Sequence, residues 1–168
     1  MTKIGIMGPH GTGKTTLARE LANEFSEFSR VVIIHETARD CPFPVNQAMS
    51  IDSQRWIFTE QMKRETAAAA ADVILCDRTV LDPVAYALVA AGTETDPDKI
   101  DAWVLWVSSA LPLALAWLKK YDRLYWRRPN GSDLVDDGFR DTDKKFQADV
   151  DLAFEYLVWK NNIKTIGG

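Results

Sequence analysis

Residues 8 to 16 read GPHGTGKTT, and no other stretch limits so sharply what this chain can fold into. It fits G-x-x-x-x-G-K-[ST] at Gly8, Gly13, Lys14 and Thr15, with the apolar run KIGIM before it and the helix-like segment TTLARELANEF after it. A strand, a glycine loop and a helix in that order are the context that gives the pattern meaning. Its glycines let the backbone curl with N–H groups pointing inward, a concave nest for phosphate oxygens. The helix beginning near Gly13 adds the positive end of its dipole and its unpaired N–H groups. Gly8, His10, Gly11, Thr12, Gly13 and Thr16 are therefore read as nucleotide contacts, His10 as a spacer offering its backbone N–H. Lys14 is expected to reach the β and γ phosphates as a mobile point charge, and the Thr15 hydroxyl to join the shell of a Mg²⁺ ion.

The 168 residues, 46% hydrophobic and 26% charged, suffice for one domain with its own core, so residues 1–168 are read as a single unit. A formal net charge of −4 argues against a protein that coats nucleic acid. Cys41 and Cys76 are too few for a disulfide framework or a four-ligand zinc site, and His10 and His35 make a histidine metal site remote. No signal peptide is read at the start. The most apolar region, WVLWVSSALPLALAWL, is broken by Ser108, Ser109 and Pro112 and is expected to form two helices, not a membrane span.

Strand-like runs fall at residues 3–7, 31–34, 73–76, 122–126 and 163–166, separated by helical stretches. That alternation predicts a parallel sheet covered on both faces. Helices are expected at 52–71, ending in an alanine run, at 82–91 with Asp82 as N-cap and Pro83 in the first turn, at 97–109, at 111–120 and at 143–160. Trp103, Trp106 and Trp117 recur at helical spacing and are read as packing residues. Residues 127–142, RRPNGSDLVDDGFRDT, are polar and rich in turn formers and are expected to be a mobile lid.

In such a sheet, ligands gather beyond the carboxyl ends of the strands. HETARD follows the second run, DRT ends the third, and RR follows the fourth. Asp77 is placed to hold Mg²⁺ through water. Glu36 suits proton acceptance from an attacking hydroxyl, with a structural ion pair to Arg39 or Arg78 as the equal alternative. Arg39 and Arg78 suit an anionic acceptor, since two guanidinium groups clamp a phosphate. Arg127, Arg128 and Arg140 could arrive on lid closure, excluding water and neutralising charge on the migrating phosphoryl group. His35 is expected to pack at the strand end. Gln54, Arg55, Trp56 and Gln61 share the helix expected to line the acceptor pocket, and the sequence does not say which of them face it.

GPHGTGKTT, ETARD, DRTVLDPVAYA and RDTDKKFQADVD together resemble the small P-loop kinases of the ribosylnicotinamide-kinase and thymidylate-kinase types, including viral deoxynucleoside monophosphate kinases, along nearly the whole chain. The resemblance implies an α/β three-layer P-loop NTPase fold, a five-stranded parallel sheet of order 2-3-1-4-5, a lid, and ATP with Mg²⁺. It implies Lys14 and Thr15 on ATP and metal, Asp77 and Arg78 on metal and acceptor, and Glu36 and Arg39 on the acceptor side; Arg127 is expected beside the donor and Gln54 with the acceptor. Lys14, Glu36, Arg78, Arg128 and Arg140 are the expected catalytic set.

The leading expectation is a (deoxy)nucleoside monophosphate kinase. A nucleoside or ribosylnicotinamide kinase acting on a sugar hydroxyl is the first alternative, and a non-kinase ATPase module the second. No [NT]-K-x-D motif supports a GTPase, and DR stands where motor ATPases carry DE. The expected partner is a small nucleotide acceptor, without membrane or stable nucleic-acid binding; a homodimer through the Trp-rich helices stays open. A cytoplasmic location is expected, in the host cell if the source is viral.

Overall fold

A computed structural model describes residues 1–68, 70–131, 134 and 141–167. The elements alternate as the sequence predicts: β1 (Thr2–Met7), α1 (Lys14–Ser26), β2 (Val31–Ile34), α2 (Ile51–Ala67), β3 (Val73–Asp77), α3 (Asp82–Thr93), α4 (Pro97–Leu118), β4 (Arg123–Trp126) and α5 (Lys144–Lys160). Two short 3₁₀ turns, Thr37–Asp40 and Asn46–Ala48, link β2 to α2. The strands form one parallel sheet of order β2-β3-β1-β4, pairing Gly5 with Cys76 on one side and with Leu124 on the other. This is an α/β P-loop fold with the glycine loop at the carboxyl end of a central strand.

Among the described residues no fifth strand is formed. Residues 163–166 contribute one bridge between Tyr125 and Ile166, through Ile166 N–H to the Leu124 carbonyl at 2.8 Å and Trp126 N–H to the Ile166 carbonyl at 3.0 Å. With Asn162 at φ 50° and Gly167 at φ 76° flanking this short run, the backbone leaves extended geometry too soon to propagate a ladder.

The sheet buries both faces. Ile4, Ile6, Val73 and Leu75 pack under Ala18 and Leu21 of α1, while the larger cluster joins α3, α4 and α5 through Val84, Trp103, Trp106, Val107, Phe154 and Leu157. Each fully buried aliphatic or aromatic side chain contributes roughly 1.5–3 kcal/mol. That scale explains α4, which is one helix and not the expected two. Pro112 costs about 3 kcal/mol inside a helix because it lacks an N–H and crowds the preceding turn. Both Pro112 and Ser108, whose carbonyl loses its donor, lie on the exposed side. Meanwhile Trp103, Trp106, Val107, Ala110, Ala114 and Leu118 make one uninterrupted buried stripe. The unbroken helix has the length and composition to cross a membrane, with a mean hydropathy of 1.4 over an 18-residue window. Its tryptophan face is turned inward, leaving Leu105 and Leu113 outward.

Helix starts follow local chemistry. Ser50 and Ser53 form a capping box on α2, and the Asp96 and Asp143 side chains cap α4 and α5. The alanine run leaves the helix earlier than expected, at Ala67, because Asp72 N–H must reach the Arg30 carbonyl to start β3.

Candidate active site

The glycine loop has the geometry its residues demand. Gly8, Gly11 and Gly13 have φ values of 135°, 70° and 79°. At Gly8 the requirement is also steric, since a Cβ there would lie 2.1 Å from the Arg127 carbonyl oxygen. Thr12 donates to the Pro9 carbonyl at 2.9 Å. Lys14 is buried with its ammonium donating to the same carbonyl. Burial, reinforced by the Arg78 charge, lowers the Lys14 pKa to about 7. Thr16 follows on the exposed side of α1. Arg127 lies across the loop, its Nε donating to the Thr12 carbonyl at 3.2 Å.

Thr15 Oγ1 donates to Asp77 Oδ2 at 2.6 Å. A hydroxyl and a carboxylate meeting beside a phosphate nest are hard oxygen donors that fit a Mg²⁺ ion. Among the described residues no group of three His, Cys, Asp or Glu side chains forms a protein-only cage, so such an ion would draw other ligands from nucleotide and water.

Across from the nest, Glu36 and Arg78 meet although 42 residues separate them. Arg78 Nε and Nη2 both reach Glu36 Oε1, at 2.6 and 2.5 Å, while Arg39 Nε reaches Oε2 at 3.1 Å. Arg78 Nη1 donates to Asp82 Oδ1 at 3.2 Å, and its guanidinium carbon lies 5.6 Å from the centre of the Tyr86 ring. Glu36, Arg78, Asp82 and Tyr86 wall a cavity with Asn46, Gln54 and Ile57. Gln54 thus faces the cavity, Arg55 pairs outward with Asp52, Trp56 is half-buried, and Gln61 is buried behind the wall.

Burial alone would raise the Glu36 pKa, but the Arg78 guanidinium, helped by Lys14 and Arg39, overrides it and holds the acid at about 2. His10 is buried, its Nδ1 3.2 Å from the Tyr86 hydroxyl and its ring stacked on Phe146, and Gln147 donates to its carbonyl at 2.7 Å. Burial first, then the Arg78 and Lys14 charges, depress its pKa to about 4. His10 is therefore a neutral strut between the loop, α3 and α5, and its backbone N–H, expected to face phosphate, donates instead to the Tyr86 hydroxyl at 3.2 Å.

These two shifts set an acid dependence. Both folded values lie below the unfolded ones, so the unfolded chain takes up the extra protons and stability falls with pH. The loss is expected from about 6.5 down to 4 through His10, and from 4.5 down to 2 through Glu36, the latter roughly 3 kcal/mol when complete. Thermal unfolding followed by circular dichroism checks this. His10→Gln should flatten the upper window, and an unfolding midpoint constant from pH 7 to 4 in the native chain would contradict the assignment.

Not every expected group joins the site. Arg128 is engaged elsewhere, with Nη2 2.7 Å from Asp151 Oδ2 and 3.0 Å from Glu155 Oε2 on α5, and its guanidinium stacks over Trp126. In this arrangement it docks α5 onto β4, with its charge shared between two carboxylates. His35 is exposed and does not pack at the strand end. Arg140, with half of the expected lid, lies outside the described residues. Asp82 and Tyr86 join the site although the sequence suggested only a helix cap at Asp82 and no role for Tyr86. Their signal was the spacing Arg78, Asp82, Tyr86, four residues apart through the start of α3.

Comparison with solved structures finds the same fold in several kinases. Thymidylate kinase from Candida albicans superposes with a TM-score of 0.69 at 15% identity, covering 99% of this chain and 83% of that one. Deoxyadenosine kinase from M. mycoides, with products dCMP and dCDP, gives 0.66 at 15% over 99% and 88%. NadR in complex with NR gives 0.66 at 18% over 99% and 45%. The resemblance to ribosylnicotinamide-type and thymidylate-type kinases therefore holds in structure, and at these identities it speaks for the fold. No curated protein matches the sequence. The family match runs from residue 3 to residue 166, and by it the chain belongs to the AAA domain family.

Proposed function

We propose that this chain is an ATP- and Mg²⁺-dependent kinase that phosphorylates a sugar hydroxyl of a nucleoside. The supporting observation is the buried, ionised Glu36 in the wall of the acceptor cavity, held by Arg78 and Arg39. Glu36 already engages both Arg78 and Arg39, and Asp82 also holds Arg78, so these guanidinium groups are largely compensated within the wall. An acceptor phosphate would have to compete with those carboxylates for them, whereas a hydroxyl donates directly to the Glu36 carboxylate. The monophosphate reading favoured by the sequence drew on arginines, and the structure commits two of them, Arg78 and Arg128, to carboxylates. Arg39, 40% exposed in its side chain, is the group that would serve an acceptor phosphate.

In the proposed reaction the glycine-loop N–H groups and Lys14 hold the β and γ phosphates, and Arg127 flanks them. Glu36 aligns the acceptor hydroxyl through the remaining lone pair on Oε2 and accepts the proton as the oxygen bonds to the γ phosphorus and the bond to the β–γ bridging oxygen breaks. A weak base suffices, because little charge develops on the nucleophile in a loose phosphoryl-transfer transition state. Thr15 and Asp77 are the groups that would hold Mg²⁺, which when bound neutralises charge on the β and γ phosphates.

Acceptor-dependent ADP formation tests this: ATP and Mg²⁺ are supplied with nucleosides, with their monophosphates, with single-stranded DNA, or alone. Stimulation by nucleosides is expected. Stimulation by monophosphates alone would restore the first sequence reading, and hydrolysis indifferent to any small acceptor would mark an ATPase module.

A further inference from the structure

Behind the acceptor cavity runs a buried chain of polar groups that phosphate holding and hydroxyl capture leave unused. Lys3 on β1 is 5% exposed, its Nζ 2.9 Å from Glu65 Oε2 and 5.3 and 5.4 Å from the ring centres of Trp117 and Tyr121. The same Glu65 oxygen accepts from Trp117 Nε1 at 2.7 Å. Its partner, Oε1, accepts from the Tyr121 hydroxyl at 2.6 Å and from Gln61 Nε2 at 2.9 Å. A buried ion pair is weak evidence of stabilisation, since apolar groups of like volume often do as well. Its effect on direction is different. An ionised carboxylate only accepts, so Glu65 dictates which end of the Gln61 amide faces it.

With that end fixed, Gln61 spans two parts of the site. Nε2 also donates to the Arg78 carbonyl at 3.2 Å, and Oε1 accepts from the Thr37 hydroxyl at 2.6 Å. Thr37 directly follows Glu36. Arg78 has φ 98°, a conformation costing a non-glycine residue about 1–3 kcal/mol unless its surroundings hold it. Its N–H is taken by the Ile6 carbonyl at 3.0 Å, and its carbonyl by Gln61.

We propose that Gln61 is a positioning residue that sets Glu36 against Arg78, with the Lys3–Glu65 pair as the buried anchor that orients its amide. The kinetic part rests on the nucleoside-kinase reading; the geometric part does not. Gln61→Met keeps volume and removes the three hydrogen bonds. It is expected to lower kcat with a nucleoside about 10- to 100-fold, as misplacement by about 1 Å does, while the KM for ATP changes less than about twofold. Independently of turnover, the Arg78 Nε–H should give a slowly exchanging, downfield ¹⁵N-edited NMR signal in the native chain, assigned by its loss in Glu36→Gln. In Gln61→Met that signal should move upfield and exchange faster.

Thr37→Val removes one bond only, and should show the same change in smaller measure if Gln61→Met does not fold. A native signal and native kcat in whichever variant folds would overturn the proposal. Failure of the native chain to phosphorylate any nucleoside would overturn the functional reading alone, and the NMR signal would still decide the positioning role.

Discussion

Lys14→Met is expected to lower kcat/KM for phosphoryl transfer by roughly 10³-fold, the scale at which a preorganised charge-stabilising donor is lost from a transition state. Lys14 is buried at the floor of the nest, with its ammonium donating to the Pro9 carbonyl. Burial and Arg78 hold its pKa near 7, so its charge is poorly compensated there, and incoming phosphates are the partner it lacks. Methionine keeps most of the buried volume, which alanine would not, so the circular dichroism spectrum and unfolding midpoint should stay close to native. Steady-state kinetics over ATP concentration checks the outcome; transfer within tenfold of native would remove Lys14 from its role.

Glu36→Gln is expected to reduce kcat with a nucleoside by about 10²- to 10⁴-fold, the range of a lost general base, while the KM for ATP stays near native. The substitution also carries a folding cost that separates it from Lys14→Met. Arg78 and Arg39 converge on the two Glu36 oxygens. A neutral amide presents an NH₂ group to one of them. Breaking one side of a buried ion pair costs about 3–5 kcal/mol, so a lowered unfolding midpoint should accompany the kinetic loss. Asp82 still holds Arg78 Nη1, which should keep the variant foldable. Full turnover of a nucleoside by folded Glu36→Gln, or loss confined to ATP binding, would place the proton acceptor elsewhere.

The donor half of this site was legible in the sequence because its chemistry is local: the glycines, lysine and threonine that make a phosphate nest must be consecutive. Asp77 was legible because a carboxylate ending a buried strand has few other uses, and the structure brings it within 2.6 Å of Thr15. The acceptor half was legible as a set of charges but not as a pairing. Whether Arg78 is free for a phosphate or committed to Glu36 depends on how β2 and β3 bring residues 42 apart into contact. Gln61 was legible only as a member of the helix expected to line the acceptor pocket, with its facing open, and nothing singled out Glu65, since both types are mostly exposed. Gln61 is buried where α2 meets Thr37 and the Arg78 carbonyl, and Glu65 where it meets Lys3, Trp117 and Tyr121. Pro112 misled for the complementary reason, because a local breaking preference was offset by a buried stripe running past it.

The central claim is that the γ-phosphoryl group passes to a nucleoside hydroxyl. It is tested most directly by identifying the products formed from ATP, Mg²⁺ and an equimolar mixture of nucleosides and their monophosphates, read by ³¹P NMR and mass spectrometry. New nucleoside monophosphates appearing with stoichiometric ADP are the expected result. Nucleoside diphosphates of the acceptor bases appearing without new monophosphates, or inorganic phosphate alone, would contradict it.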